Sequence, residues 1–223
     1  GDDLRFVDGV VGETLAYEIV RWNDGGVSEV WVKVPRIEAG EVHRVWMYFG
    51  NVGAPPEQSA SGPWTGYTSV VHLDPSLTDS VAPTLPPTPI GTTDVAGVAG
   101  RARALNGYSD RLELPDEARF DRTSGFTVSA WFRLDFWGAD WDAIVTKGDQ
   151  AFRLHRCWWT NEVGFSLSYT DGTRDQCAGD VNDGQWHFLA PPSASKRTYP
   201  RPPPAALRAR DVSAEKPPGA GWR

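Results

Sequence analysis

Residues 124–134 constrain the fold of this chain more than any other stretch, because apolar side chains recur there at every second position. The apolar members are Phe126, Val128, Ala130, Phe132 and Leu134. Successive side chains of a β-strand point to opposite sides, so a period of two is typical of a strand with one buried face. We therefore predict a half-buried strand here, with these five side chains directed into a core.

The rest of the chain carries the same signal. Short alternating segments are separated by turn-forming residues, and the 223 residues include 11 Trp, 23 Gly and 18 Pro. Rigid aromatic residues between frequent turns suit an all-β protein. No run of 18 apolar residues occurs, so no transmembrane helix is expected within this sequence. We predict an all-β chain of two antiparallel β-sandwich domains.

The domain organisation follows from shifts in composition. Residues 1–53 are predicted to form a compact meander of about four strands, at 4–7, 15–22, 30–34 and 42–49. Residues 54–67 are rich in Pro, Gly, Ser and Ala and are predicted to be a linker. A second domain is predicted over 68–190. It includes strands at 68–73, 102–105, 111–114, 143–146, 152–156 and 163–169, and a long irregular loop at 74–97, which has five prolines.

The last segment, residues 191–223, differs from everything before it. It is rich in Pro, Arg and Ala and has no strand period. The residues just before it, 186–190, have the apolar character of a core strand. We expect either a disordered basic extension or a shifted reading frame, and we favour the shift. The segment holds seven basic and two acidic residues, whereas the whole chain carries a net charge of −7. The acidic remainder argues against nucleic acid as a partner, because phosphate binding requires a basic surface.

The first domain resembles the bacterial domain of unknown function DUF2341. The resemblance rests on short motifs in order: Asp3-Leu4-Arg5-Phe6-Val7, Tyr17-Glu18-Ile19, Trp22-Asn23, Val30-Trp31-Val32-Lys33-Val34-Pro35 and Tyr48-Phe49-Gly50-Asn51. Members usually have further strands before the first of these motifs. The resemblance therefore implies a first domain that is truncated at its N-terminal side.

The second domain resembles the laminin-G-like modules of the concanavalin A-like lectin/glucanase superfamily. The motifs are Val71-His72-Leu73, Ala104-Leu105-Asn106-Gly107, Arg111-Leu112-Glu113-Leu114-Pro115, Gly125-Phe126-Thr127-Val128-Ser129-Ala130-Trp131, Ile144-Val145-Thr146-Lys147-Gly148 and Asn182-Asp183-Gly184-Gln185-Trp186-His187. The resemblance implies a two-sheet jelly roll that here lacks its last third.

Together the two resemblances imply an extracytoplasmic location, secreted, periplasmic or on the cell surface. In bacteria this pair of domains occurs on large envelope proteins, some similar to proton-channel proteins of the MotA/TolQ/ExbB type. The leading hypothesis is a non-catalytic binding or adhesion module for carbohydrate or a surface protein. The alternative is a periplasmic sensory or scaffold segment of such a channel protein. A glycoside hydrolase ranks third, because no strand carries the two closely spaced carboxylates that this chemistry uses.

Three sets of residues are candidates for sites. Sugar recognition uses exposed aromatic faces, and Trp137, Trp141, Trp158 and Trp159 fall in loops or at a hairpin end. Some of these side chains could instead cover the core.

No cofactor is predicted apart from a structural calcium ion. The resemblance to laminin-G-like sandwiches implies a rim site built from loop carboxylates such as Asp74, Asp79 and Asp94. The competing explanation is that these aspartates are simply solvated. Cys157 and Cys177 either form a disulfide, as an extracytoplasmic location allows, or remain two thiols.

Overall fold

The computed structural model describes residues 1–122, 125–148, 151–169 and 172–191. It contains fourteen short strands and two 3₁₀ helices, Gly62–Trp64 and Glu117–Phe120. The strands are β1 Arg5–Asp8, β2 Tyr17–Arg21, β3 Glu29–Val32, β4 Val45–Tyr48, β5 Thr88–Ile90, β6 Thr93–Ala96, β7 Arg101–Ala104, β8 Arg111–Glu113, β9 Ala130–Arg133, β10 Ala143–Thr146, β11 Phe152–Arg156, β12 Glu162–Tyr169, β13 Gly172–Asp180 and β14 Trp186–Leu189.

Every strand pairing in these residues is antiparallel. Four strands form a sheet in the order β10-β11-β12-β13, and the others pair as β1-β4, β2-β3, β5-β8, β6-β7 and β9-β14. The predicted all-β, antiparallel class is therefore confirmed. Within the described ranges, no helix has the length and apolar character needed to cross a membrane.

The first core lies between β1 and β2. Leu4, Phe6, Leu15 and Tyr17 are buried together, and the rings of Phe6 and Tyr17 pack edge to face at 5.2 Å. The Tyr17 hydroxyl donates to the Leu4 carbonyl at 2.7 Å, so the polar group of this buried side chain has a hydrogen-bond partner. The four strands lie where the sequence places them. Their pairing is nested, β1 with β4 and β2 with β3, and is not the predicted meander. Alternation identifies a strand but not its partner.

Residues 54–67 pack along this core and do not hang free as a linker. The Ser59 amide donates to the Tyr17 carbonyl at 2.9 Å, and the Ile19 amide donates to the Gln58 side chain at 3.1 Å. Arg5 forms an ion pair with Glu57 at 2.8 Å. These contacts satisfy backbone groups along β2, so the segment is fixed to the first unit despite its Pro- and Ser-rich composition.

The segment 74–97 is more ordered than the prediction of an irregular loop. It contributes β5, which pairs with β8, and β6, which pairs with β7. Pro89 lies in β5, a strand with a single neighbour, where the missing amide hydrogen breaks no ladder. Leu77 and Asp79 are buried. The predicted strand at 68–73 is reduced to one bridge between Val71 and Asp79.

The second core is built on the apolar face predicted for residues 124–134. Phe132 is buried in it, while Phe126, Val128, Ala130 and Leu134 pack against it. The face is confirmed, although the ladder covers only Ala130–Arg133 and residue 124 lies outside the described residues. The opposing members of this core come from β11 and β12 and from the segment after β13: Phe152, Leu154, Val163, Phe165 and Val181.

Strand β13 has no counterpart in the predicted strands. All nine of its residues are exposed, and its sequence Gly-Thr-Arg-Asp-Gln-Cys-Ala-Gly-Asp has no apolar alternation. It lies at the edge of the four-stranded sheet, paired only with β12. An edge strand exposed on both faces needs no hydrophobic period, so the sequence carries no sign of it. The predicted basic tail, 191–223, lies outside the described residues except for residue 191.

Candidate functional site

Three of the four predicted tryptophans lie side by side at one end of the four-stranded sheet. The ring centroids of Trp141 and Trp158 are 5.6 Å apart, and those of Trp158 and Trp159 are 6.1 Å apart. The side chains are 43%, 47% and 72% exposed in chain order. We call this group, Trp141, Trp158 and Trp159, the aromatic ridge.

Two chain segments supply the ridge. Trp141 ends the loop before β10, and Trp158 and Trp159 occupy the turn between β11 and β12. That turn is closed by the Cys157 carbonyl, which accepts from the Thr160 amide at 3.1 Å and from the Thr160 hydroxyl at 2.6 Å. The predicted turn at this position is therefore what presents the two adjacent indoles to solvent.

The backbone at two of the ridge residues is strained. Trp141 has φ of 92° and Trp158 has φ of 56°, in the left-handed region that bulky residues seldom adopt. Such a conformation costs roughly 1–2 kcal/mol per residue, so surrounding contacts must hold it in place. Strain of this kind is found at functional sites in proteins, but Leu73, Leu77 and Asp116 share it, so the ridge is distinguished by its exposed, touching indoles.

Two polar side chains, Asp140 and Arg156, support the ridge, and we call them the polar frame. The Asp140 carboxylate accepts from the Trp159 indole nitrogen at 2.7 Å and lies 3.4 Å from the Arg156 guanidinium. Arg156 also donates to the carbonyls of Thr160 at 2.9 Å, Ala139 at 3.3 Å and Trp159 at 3.3 Å. This single side chain therefore ties together the two loops that carry the tryptophans.

His155 forms the floor beneath Trp141. It is 1% exposed, and its ring centroid is 5.4 Å from that of Trp141. Burial lowers the pKa of His155 below its ordinary value, so the ring is neutral near pH 7. Its Nδ1 lies against the Arg156 carbonyl, and the Ser166 hydroxyl lies at its Nε2. The Arg153 guanidinium is 5.0 Å from the Trp141 ring, a cation–π distance.

Cys157 and Cys177 are joined by a disulfide in the structure, with their Cα atoms 5.8 Å apart. The bond connects the turn of the ridge to the exposed edge strand β13. It passes over Gly164 of the intervening strand, where an added Cβ would lie only 3.3 Å from the Cβ of Cys157. The absence of a side chain at Gly164 leaves room for the crosslink.

Trp137 does not belong to the ridge. It is half-buried and packs against the second core, and its indole nitrogen donates to the Asn161 carbonyl at 3.3 Å. Its position matches the alternative stated for these tryptophans, that some of them cover the core.

The three aspartates predicted to hold calcium are not brought together. Asp74 accepts from the Ser76 hydroxyl and the Leu77 amide, and Asp94 is paired with Arg101. Asp79 is fully buried. It accepts from the Ser69 hydroxyl, from Arg119 and from three backbone amides, those of Val70, Val81 and Ala82. Each of the three carboxylates is thus engaged by protein donors, while Oδ1 of Asp94 is buried without a hydrogen-bond partner.

Among the described residues, one group of three His, Cys, Asp or Glu side chains has its ligand atoms within 4.8 Å of one another: Cys157, Glu162 and Cys177. Both cysteines of that group are in the disulfide, so their sulfurs are not available as thiolate ligands. Calcium binding at the predicted aspartates therefore has no support from this geometry.

A buried polar group that the sequence does not reveal lies between the first unit and the segment after it. The Glu18 carboxylate accepts from the Trp64 indole at 2.6 Å, His72 at 3.0 Å and the Ser80 hydroxyl at 2.6 Å. Burial alone would raise the pKa of Glu18, but the hydrogen bonds from His72, Ser80 and Trp64 hold it below its ordinary value. The donors lie 46 to 62 positions away in the chain, so no local motif signals them.

The arrangement around Glu18 does not activate a nucleophile. The carboxylate lies between Ser80 and His72, whereas a serine nucleophile needs the imidazole beside its hydroxyl. A cavity of about 170 Å³ adjoins the group and is lined partly by Asp74, Ser76 and Thr78. We interpret the Glu18 group as a structural connection between the first unit and the segment 72–80.

Comparison with protein families gives two matches. Residues 1–68 match the family described as domain of unknown function DUF2341. Residues 106–194 match the concanavalin A-like lectin/glucanases superfamily. No curated protein and no solved structure matches the chain. Both resemblances inferred from the sequence are thus confirmed, in that order along the chain. The first match runs through 54–67, the segment that packs on β2.

The aromatic ridge falls within the second match, whereas Glu18 falls within the first. The similarity to a lectin and glucanase superfamily supports a module of the carbohydrate-binding type. The association with proton-channel proteins stays a prediction, because neither matched family is described as a channel.

Proposed function

We propose that this chain is a non-catalytic glycan-binding module that acts outside the cytoplasm, and that the aromatic ridge is its binding surface. The observation that carries the proposal is the contiguity of Trp141, Trp158 and Trp159, all exposed, in the part of the chain that matches a lectin-containing superfamily. Sugars present apolar C–H faces and polar hydroxyl edges, which aromatic rings with neighbouring polar groups can bind.

The polar frame supplies the second half of such a site. A sugar stacked on an indole needs hydrogen-bond partners at the edge of the ring, and Asp140 lies at the edge of Trp159. The hydrogen bonds of Arg156 to both loops order the segments that bear the rings before a ligand arrives. A surface that is already ordered loses less entropy on binding, which favours affinity.

The extracytoplasmic part of the proposal has its own support. Disulfides persist in oxidising compartments and are rare in the cytosol, and Cys157 and Cys177 are the only cysteines of the chain. The bond also lies directly at the ridge. The disulfide would stabilise the binding surface of such a module at a place where few side chains are buried.

The absence of catalysis is also part of the proposal. Glycoside hydrolysis needs one carboxylic acid to donate a proton and a second carboxylate facing it. Asp140 accepts from the Trp159 indole at 2.7 Å and lies 3.4 Å from the Arg156 guanidinium, an arrangement suited to hydrogen bonding. It contributes binding and orientation, and no proton transfer.

The test is a binding screen with matched tryptophan variants. Wild-type chain is applied to a glycan array, and hits are titrated by calorimetry against Trp158→Ala, Trp159→Ala and Trp22→Ala. Trp22 is an equivalent control. It is 45% exposed and its indole nitrogen also donates to a nearby carboxylate, that of Asp24, but it lies in the first unit.

Removing a stacked indole should weaken binding by roughly 30-fold, the usual effect of truncating an aromatic residue central to an interface. Trp22→Ala should bind like the wild type. The proposal fails if no glycan binds, or if Trp158→Ala and Trp22→Ala have equal affinities.

A further inference from the structure

Resting on the proposed function, we propose that the ridge binds single chains of neutral sugars through two consecutive stacking positions, Trp158 and Trp159, and rejects acidic glycans and flat crystalline surfaces. Three features of the described residues carry this inference: the angles between the rings, the environment of Trp141, and the state of the nearby charged groups.

The angles between rings exclude a flat ligand. The planes of Trp141 and Trp158 differ by 51°, and those of Trp158 and Trp159 by 52°. A crystalline polysaccharide presents sugar faces in one plane and would need coplanar rings to meet them. A free glycan chain can rotate about its linkages, so consecutive sugar units can face rings that are inclined to each other. The ridge therefore fits a soluble chain.

The environment of Trp141 assigns it a different role from its neighbours. Its ring is in contact with His155, at 5.4 Å, and with the Arg153 guanidinium, at 5.0 Å. Trp159 is the most exposed of the three at 72%, and Trp158 at 47% differs little in exposure from Trp141 at 43%, so it is these contacts that distinguish Trp141. We therefore assign stacking to Trp158 and Trp159, and treat Trp141 as a positioning residue that supports Trp158 from the side. Two stacking positions imply that a disaccharide is the shortest ligand that uses the full site.

The charged groups disfavour an acidic ligand. All three nitrogens of the Arg156 guanidinium donate to carbonyl oxygens of the two loops, and Nη1 also faces Asp140. Arg153 is stacked over Trp141. Recognition of a sugar carboxylate or sulfate usually uses an arginine that can turn its donor edge to the anion. The carboxylate of Asp140 at the ring of Trp159 would in addition repel an anion.

The experiment compares defined oligosaccharides on the full 223-residue chain. Calorimetry is run with laminarihexaose, maltohexaose, cellohexaose and mannohexaose as neutral probes, with the corresponding disaccharides and monosaccharides, and with hexagalacturonate as the acidic probe. Microcrystalline cellulose is tested by sedimentation. Each probe is repeated with Trp159→Ala and Trp159→Phe, and folding is checked by circular dichroism.

At least one neutral hexasaccharide should bind at least tenfold more tightly than hexagalacturonate, with little dependence on salt. The matching disaccharide should retain most of this affinity and the monosaccharide should lose it. Crystalline cellulose should not retain the chain. Trp159→Phe should keep part of the affinity that Trp159→Ala loses, because a phenyl ring still stacks.

One further variant tests the charge argument directly. Asp140→Asn keeps an oxygen that can accept from the Trp159 indole but removes the negative charge. It should raise the affinity for hexagalacturonate severalfold and leave the neutral hexasaccharide within about twofold, since only the first interaction includes charge repulsion.

The outcomes separate this inference from the proposed function. If hexagalacturonate or crystalline cellulose binds best and binding still requires Trp158 and Trp159, the glycan-binding function stands and the neutral, single-chain assignment is wrong. If no probe of this set binds although array hits require Trp158, the neutral, single-chain assignment is overturned and glycan binding stands. If the array gives no hit either, or if binding is unchanged in Trp159→Ala, both are overturned.

Discussion

Two of the groups of touching aromatic rings in the described residues differ in what lies beneath them. The first aromatic cluster, Trp31, Trp64, Tyr67 and His72, has ring contacts of 5.4 to 5.7 Å. The aromatic ridge has contacts of 5.6 and 6.1 Å. Ring spacing therefore does not distinguish them. The first cluster is built on the buried carboxylate of Glu18, while the ridge is built on two loops and a disulfide.

The difference indicates which tryptophans maintain the fold and which are available to a ligand. Trp64 and His72 donate to a carboxylate that is 6% exposed, and they join segments far apart in the chain. The indole nitrogen of Trp159 donates to a surface carboxylate within its own region. Substitutions in the first cluster should therefore lower stability, and substitutions in the ridge should lower binding.

The largest effect on stability should come from removing the disulfide. A bond that closes a loop of about 20 residues contributes roughly 3 kcal/mol by restricting the unfolded chain. Cys157→Ser with Cys177→Ser should lose about that much in urea unfolding followed by circular dichroism. The double variant should also bind glycan more weakly, because the turn that carries Trp158 loses its crosslink to β13.

The control for the disulfide is a reductant. Dithiothreitol should lower the stability of the wild type to that of the double serine variant and should leave that variant unchanged. Equal stability of reduced and oxidised wild type would show that hydrogen bonds alone hold the ridge turn, and the contrast with the first cluster would be lost.

A smaller effect is expected at Glu18. Glu18→Gln preserves the shape of the side chain but replaces an ionised acceptor of three hydrogen bonds with a neutral amide, at a cost of about 2 kcal/mol. Thermal unfolding measures the loss. Glu13→Gln, at an exposed position of the same unit, serves as the matched control and should be neutral.

Glycan affinity is the second measurement on Glu18→Gln. It should be the same in Glu18→Gln and in the wild type at a temperature where both are folded. A variant of unchanged stability but reduced affinity would reverse the assignment, making the first aromatic cluster the binding surface and the ridge the structural one.

The sequence predicts a large part of this molecule and fails where contacts are distant or strands are exposed. The core face of residues 124–134 and the strands β10 to β12 follow from alternation, because burying one face imposes a period of two. Strand β13 is exposed throughout and leaves no such period. The nested pairing of β1 with β4 depends on which edges meet, and local patterns do not encode that choice.

The candidate sites also differ in how far the sequence predicts them. Loop position alone suffices to select Trp141, Trp158 and Trp159, since neighbouring turns bring them together. It also selects Trp137, which packs on the second core, and the aspartates, whose carboxylates are occupied by protein donors. The Glu18 group is invisible in the sequence because its four members are spread over residues 18 to 80. Chemistry assembled from distant segments requires coordinates.

The smallest expected effect is a pH dependence that differs between the two regions. Burial lowers the pKa of His155, so the unfolded chain binds a proton before the folded one does as the pH falls. Stability should therefore begin to decrease below about pH 6.5, the ordinary value for histidine. The pKa values of Glu18 and Asp79 are held low by hydrogen bonds that outweigh burial, so their contribution is present above about pH 4 to 4.5 and is lost as the pH falls through their lower folded values.

The two pH ranges can be separated with one variant beneath the ridge and one beneath the first aromatic cluster. His155→Gln should flatten the dependence of the unfolding midpoint between about pH 7 and 5, and Glu18→Gln should reduce it only at lower pH. Denaturant titrations at half-unit steps measure both. Because His155 lies beneath Trp141, indole fluorescence should report the change between pH 7 and 5, at which the first aromatic cluster is still folded. If His155→Gln leaves the dependence between pH 7 and 5 unchanged, His155 is not the group whose protonation destabilises the fold in that range.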